Sequence, residues 1–341
     1  MFVTNPFAVA DAHDLAALRQ CMDAVGHVVV RQAVNRRQVT DAASDLLAAA
    51  LGQGLLRREG TEYAPTREMA SVSHGTSLPL WQAESFHALA HADELTKLAR
   101  GLLQAKPIVV HPRKIIRFFR EVDNEMIAGW HQDWPAVQGS ARVLTMWLPL
   151  VPTTEYHGSP LVIGGRLRSP QPMHLADNIV GREVNVPSGC HVHSGPLDPG
   201  DVLIFDAFTV HRGGSSMSNG VRVSCDFRYQ SLNEPICFNS VELVGCGFGW
   251  ADVYRDWRST DLQYYWRRHK LAMVPYDDRF ERWRDVEAIR LGRKSDAVAR
   301  RALELASAFS PSERIATEAR RLLAENYSRH SLATSELNPF H

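Results

Sequence analysis

The run His131-Gln132-Asp133 and a later His211 put two imidazoles and one carboxylate into a single chain. That donor set is the facial triad that binds non-haem Fe(II). Three ligands take one face of an octahedron, and three positions stay open for a chelating cosubstrate and O2. In extended backbone, residues i and i+2 project to the same side. His131 and Asp133 can therefore converge on one ion, while His211 must arrive from another strand. Arg222 opens the next strand-like run, RVSCDFRYQ. Its planar fork suits a carboxylate, as the far end of a diacid cosubstrate would require. Ser224 lies on the same face of that run and can donate a further hydrogen bond.

These side chains need rigid strands to hold them. Short β-rich runs occupy Ile108–Arg120, Val143–Val151, Pro160–Ile163, Asp201–Phe205 and Val221–Gln230, separated by Gly, Pro, Asn and Ser. That pattern predicts an antiparallel sandwich or barrel. Ahead of it, helical spacing predicts a helix from Asp14 to Val25, ended by Gly26, then a short strand over His27–Val34. A second helix capped by Asn35 runs to about Leu51, and one capped by Asp93 runs through Leu103. Residues 52 to 80 carry no clear period and are expected to form loop and edge structure. After residue 249 come an aromatic- and Arg-rich stretch, 250–285, and two helices. The first is expected to be capped by Ser295, with Val298, Ala302, Leu305 and Ala306 inward. The second starts at Ser310-Pro311-Ser312-Glu313, read as cap, first-turn proline and capping box. The expected division is a 1–249 domain with N-terminal helices, followed by a 250–341 helical extension. Ser328 to His341 reads as a tail.

Composition narrows the class. The chain has 341 residues, with 38 basic and 38 acidic side chains and 45% apolar content, which are globular values. A net charge of +0 argues against a nucleic-acid partner, which calls for a basic excess. No apolar run reaches the roughly 18 residues of a membrane helix, and the N-terminus has no signal-peptide pattern. The five cysteines show no CxxC spacing. A reducing, cytoplasmic setting is expected.

The ordered motifs GWHQDWP, MWLPLVP and GDVLIFDAFTVHRGG, with RVS downstream, resemble the phytanoyl-CoA dioxygenase branch of the Fe(II)/2-oxoglutarate oxygenases over roughly residues 20 to 230. The resemblance implies an α+β chain with a mainly β core, a double-stranded β-helix or cupin-like jelly roll. It implies His131, Asp133 and His211 as iron ligands, and Arg222 on the far carboxylate of 2-oxoglutarate. Trp147 sits where relatives often line the cosubstrate pocket, though it could equally be a core residue. Lys114 precedes the HxD in a region where relatives carry polar pocket residues. Asp133 keeps the carboxylate that related halogenases replace, which favours hydroxylation of a small molecule with release of succinate and CO2. The stretch Glu155-Tyr156-His157-Gly158-Ser159-Pro160, ending Val162-Ile163-Gly164-Gly165-Arg166, departs from the family pattern and weakens any transfer of substrate contacts.

Other candidates have plainer readings. His191 and His193 form a second HxH, read as loop histidines at the pocket rim in preference to a second metal site. His74, His87 and His91 read as ordinary. Trp134 either lines the substrate mouth or braces the ligand loop. Residues 250–285 form a lid, a subunit interface with a second copy, or a satellite core. From another class, a cupin-like isomerase or hydrolase on Zn(II) or Mn(II) would use the triad without needing Arg222. A non-catalytic scaffold would need neither.

Overall fold

The structure, a computed structural model, describes residues 3–60, 62–66, 77–119, 130–154, 158–163, 186, 189–214, 221–295, 299–310 and 312–327. His74, Glu155–His157, Gly164–Arg166, Val298, Pro311 and the 328–341 tail lie outside them, as do the side chains of Trp283 and Leu305. In chain order the strands are β1 (Val3–Asn5), β2 (His27–Val30), β3 (Leu56–Glu59), β4 (Glu62–Pro65), β5 (Ile108–Val110), β6 (Ile115–Phe119) and β7 (Leu144–Pro149). There follow β8 (Leu161–Ile163), β9 (His191–His193), β10 (Val202–Asp206), β11 (His211–Arg212), β12 (Arg222–Ser231), β13 (Ile236–Cys237) and β14 (Met273–Val274). The helices are α1 (Leu15–Val25), α2 (Arg36–Gly52), α3 (Leu78–Trp81), α4 (Glu84–Leu89), α5 (Asp93–Leu103), α6 (Trp134–Val137), α7 (Trp250–Val253), α8 (Arg279–Gly292), α9 (Ala299–Phe309) and α10 (Glu313–Leu322).

Contacts divide the chain into two compact units, Met1–Pro172 with Pro187–Tyr276, and Met173–Val186 with Asp277–His341. The first unit holds the jelly roll. Its larger sheet runs β2-β10-β7-β12-β5, with β6 also paired to β12; the smaller runs β1-β9-β8-β11. All these pairings are antiparallel except β1 with β9.

Period-two alternation sorts the larger sheet into two faces. Val28 and Val30, Leu144, Met146 and Leu148, Val202 and Ile204, and Val223, Cys225, Phe227 and Tyr229 face the helices, where they pack with Leu18, Leu46, Phe86, Leu95 and Leu98. The intervening Val29, Trp147, Leu203 and Phe205 face the smaller sheet and pack with Val162, Leu197 and Phe7. Asp201 seals the entry to β10. Its carboxylate accepts from Arg31 Nη1, Gln32 N, Gln32 Nε2 and Asp198 N, at 2.7 to 3.2 Å. The Gly200-Asp201 motif is thus a structural latch. Gly200 supplies φ +105°, which side-chain-bearing residues rarely adopt.

Helix boundaries test the capping expectations. Asp14 accepts from Ala17 N and Asn35 from Arg37 N, and Gly26 closes α1 at φ +79°. Asp93 is the first helical residue and not the cap, which is Ala92; its charge still favours the helix N-terminus. The cap of α10 is Ser312, which accepts from Ile315 N, and not Ser310. Helix α9 begins at Ala299, and Ser295 has φ +55°. The Ile108–Arg120 run is two strands broken at His111–Lys114, because Pro112 cannot donate to a ladder. The strand expected over His27–Val34, β2, ends at Val30, where Arg31 and Gln32 turn to bind Asp201. Within 52–80 the described residues form the β3–β4 hairpin and α3.

Trp250, Tyr254 and Trp266 pack with Trp81, Val109, Ile236 and Leu243 into a satellite core of the first unit. In the second unit α8, α9 and α10 bury Ala288, Ile289, Ala302, Leu303, Ala306, Ala319 and Leu322. No helix among the described residues is long and apolar enough to cross a membrane.

Candidate active site

His211 stands on β11, and His131 reaches it through an isolated antiparallel bridge. Each backbone N–H donates to the other residue's carbonyl at 2.9 Å. Two further bonds tie the two segments together. Gln132 Nε2 donates to Phe208 O at 2.6 Å, and Trp134 N donates to Ala207 O at 2.9 Å. Asp206 folds the segment before His211 by accepting from Phe208 N and Thr209 Oγ1, both at 3.0 Å. The HxD loop and the distal histidine are thereby one rigid piece, although 78 residues separate Asp133 from His211 in the sequence.

The result is convergence. Ligand atoms of His131, Asp133 and His211 all lie within 4.8 Å of one another, the one such group of metal-ligating side chains among the described residues. His211 Nε2 is 3.9 Å from Asp133 Oδ1. His211 Nδ1 lies 2.9 Å from Thr209 O. A carbonyl can only accept, so Nδ1 carries the proton and Nε2 offers its lone pair to the site. Phe205 packs on the His211 ring at a centroid distance of 4.4 Å.

Asp133 is buried and held through its other oxygen. Thr145 Oγ1 donates to Oδ2 at 2.7 Å, and Arg228 Nη2 lies 3.1 Å from the same atom. Burial alone would raise the carboxyl pKa. Arg228, then the two imidazoles and the Thr145 hydroxyl, outweigh that and hold it well below the ordinary carboxylate range.

Arg222 is also buried, on the same face of β12. It donates to the Gly158 carbonyl. Burial first, then the nearby Arg117, push its pKa down, with Asp226 opposing. A guanidinium nonetheless stays charged near neutrality. The loop beside it admits only glycine: a Cβ at Gly158, which has φ +75°, would stand 2.8 Å from Gly214 O, and one at Gly214 would stand 2.1 Å from Ser159 O. Ser224 Oγ is buried with no hydrogen-bond partner among the described residues. Arg117 sits opposite Ser224 in register and donates twice to Asp226 Oδ2, at 2.9 and 2.7 Å.

The remaining candidates fall elsewhere. Trp147 belongs to the inter-sheet core, directly across the ladder from Asp226. Trp134 stacks on Phe208 at 5.8 Å and so braces the ligand loop. Lys114 is buried beside the Tyr265 ring, 5.4 Å from its centroid, with Pro112 O at 3.4 Å and His87, His91 and His111 as its charge neighbours. Burial pushes its pKa down to about 7. His191 bonds Asn5, and His193 bonds Pro6 O and packs on His27 at 4.7 Å, on a strand of the smaller sheet and not in a loop. Sequence reasoning passed over Arg228, Thr145 and Arg117. The available signal was phase: Arg228 is an even number of residues from Arg222 in a strand whose every position is buried, and a buried charge calls for a partner.

Comparison with known proteins follows the same lines. The sequence profile of the phytanoyl-CoA dioxygenase family matches residues 22–224. A 1-deoxypentalenic acid 11-beta-hydroxylase of Streptomyces exfoliatus is 24% identical over 249 residues, 67% of this chain and 85% of that one. A protein of the same description from Streptomyces arenae is 25% identical over 257 residues, with the same coverages. Among solved structures, the epimerase SnoN in complex with Fe3+, alpha ketoglutarate and nogalamycin RO has 17% identity and a TM-score of 0.49, covering 65% of this chain and 85% of its own.

Proposed function

The chain belongs to the phytanoyl-CoA dioxygenase family, and on that premise we propose that it is an Fe(II)- and 2-oxoglutarate-dependent dioxygenase. It hydroxylates an aliphatic carbon of a small-molecule substrate, using O2 and releasing succinate and CO2. The observation that carries the reading is the convergence of His131, Asp133 and His211 within 4.8 Å, against the face of β12 whose Arg228 reaches Asp133 and which also bears Arg222. The hydroxylase relatives, 85% covered by this chain, support the reaction type.

The residues present fit the group. Nε2 of His211 is the unprotonated ring nitrogen, Asp133 is kept anionic, and both are buried, as a ligand set for a divalent cation requires. His131, Asp133 and His211 would hold the iron. When bound, iron with 2-oxoglutarate and O2 supplies the oxidising power for the C–H bond. The chain's own work is positioning. Arg222, pinned to Gly158 O, offers a cation to the far carboxylate, and Ser224 Oγ offers a hydroxyl beside it. Trp147 and Phe205 keep this face dry. Lys114, among its histidines and Tyr265, has no part in this reading. Five unpaired cysteines suit a reducing cytoplasm.

The test is an anaerobic titration of metal-free protein with Fe(II) and then 2-oxoglutarate, watching for the weak visible charge-transfer band of the chelate. The band is expected in the native protein and absent in His211→Ala. Metal binding without a band would favour a cupin-like isomerase or hydrolase instead.

A further inference from the structure

The family reading accounts for Arg222 but leaves a second buried arginine on β12 without a task. Arg228 is buried, and Asp133 is its one acidic partner among the described residues. A buried guanidinium is costly unless it is paired in good geometry, so its position must be maintained by what it holds. What it holds is a single oxygen. Arg228 and Thr145 both address Oδ2 of Asp133, whereas Oδ1 is the atom on the His211 side. Thr145 and Arg228 are register partners on neighbouring strands, so two rigid elements aim at one atom.

Arg228 is itself braced. His111 N donates to the Arg228 carbonyl at 2.8 Å. The His111 Nε2 atom is 2.9 Å from Gln230 Oε1. The Gln230 amide is oriented by its donations to the carbonyls of Glu234 and Pro235, at 3.2 and 3.1 Å. With Gln230 Oε1 as an acceptor, Nε2 must carry the His111 proton. Nδ1 is then left as a buried acceptor beside a guanidinium whose Nε is a buried donor, and neither atom has a partner among the described residues.

We propose that Arg228, seconded by Thr145, is a positioning residue that restricts Asp133 to one ligating oxygen and so keeps a coordination position open for the cosubstrate. This rests on the metal-site reading above. The physical basis is that a carboxylate with both oxygens free can take a metal through one or both of them. Two charge-assisted or hydroxyl bonds on Oδ2 make the one-oxygen mode the lower in energy. Removing the guanidinium also takes one positive charge away from beside the metal site, where a cation has to bind. The expected signature is therefore a split: the metal is retained, and the cosubstrate is weakened.

The test compares the native protein with Arg228→Met, Arg228→Lys and Thr145→Val. Fe(II) affinity, 2-oxoglutarate affinity from the chelate band, and Tm are read under anaerobic conditions. Arg228→Met is expected to bind Fe(II) at least as tightly as native protein and 2-oxoglutarate about 10- to 100-fold more weakly, so that a loss of the size usually seen in metal affinity or activity falls on the cosubstrate instead. Arg228→Lys restores the charge without the planar fork and should recover part of the loss. Thr145→Val should lose less, in the same direction, and serves if Arg228→Met does not fold. Unchanged 2-oxoglutarate affinity in both Arg228→Met and Thr145→Val would overturn the proposal. So would a loss of metal affinity matching a fall in Tm, which is the mark of a merely structural ion pair. A native protein that binds no Fe(II), or that matches His211→Ala, would instead overturn the metal-site reading itself.

Discussion

One strand carries two chemistries. On β12, Val223, Cys225, Phe227 and Tyr229 face the helices, while Arg222, Ser224, Asp226, Arg228 and Gln230 face the smaller sheet, and all are buried. Burial alone does not distinguish the faces; their partners do. The helix-facing side needs almost no hydrogen bonds: Tyr229 OH donates to Ala90 O at 2.8 Å, and packing does the rest. The inward side is a set of matched polar contacts: Arg222 with Gly158, Asp226 with Arg117, Arg228 with Asp133, and Gln230 with His111. The apolar face stabilises by removing area from water. The polar face costs desolvation and is retained for what it positions. Stability and chemistry are thus separated by 180° of side-chain direction on one backbone.

That separation can be broken by substitution. His211→Ala should abolish the Fe(II)/2-oxoglutarate band and turnover while leaving the unfolding midpoint close to native. A large loss of stability, or surviving turnover, would remove the distinction between the faces. Phe227→Ala, on the opposite face, should cost about 3–5 kcal/mol in denaturant unfolding and still form the chelate at low temperature where it is folded. Arg222→Ala should raise the 2-oxoglutarate requirement by about 10- to 100-fold, in proportion to the loss of a charge-assisted carboxylate contact at about 1.5–3 kcal/mol. Its stability should hold or improve, because a buried charge has gone.

The smallest expected effect is in pH. His27 lies on the inward phase of β2 beside Val28. Burial first, then His193, push its pKa down to about 4 from 6.5, against the Val25 hydrogen bond. The unfolded chain therefore binds more protons between those values, and stability should fall as pH drops from 6.5 towards 4. His27→Gln should flatten that slope in urea titrations across the window. An unaltered slope would assign it to other buried histidines, of which His91 and His111, each pushed down to about 3, titrate in the same sense.

Much of this arrangement follows from local pattern. The HxD spacing, the alternation of β12, the Asn35 cap and the Gly26 stop are all effects of a few neighbouring residues, and the structure repeats them. Arg222 is legible because it lies 11 residues after His211 and opens the next strand. The cap of α10 moved from Ser310 to Ser312 because two serines compete for one helix start and local sequence does not rank them. The aromatic stretch after residue 249 had three readings, because aromatics suit a lid, an interface and a core alike. Its described part packs with Trp81 and Val109, residues that no local rule connects to it.

By itself, then, the sequence determined which side chains could bind a metal and a carboxylate, and which strands and helices would carry them. Those properties depend on residue type, on i, i+2 and i, i+4 spacing, and on turn residues, which act over a few ångströms along the chain. Tertiary structure alone decided that His131 pairs with His211, that Arg228 and Thr145 share one oxygen of Asp133, and that Lys114 lies among histidines and Tyr265. These are contacts across strand order, which hydrogen-bond register and sheet packing set. A shift of one residue in the β7–β12 pairing would turn the polar face towards the helices and scatter the site.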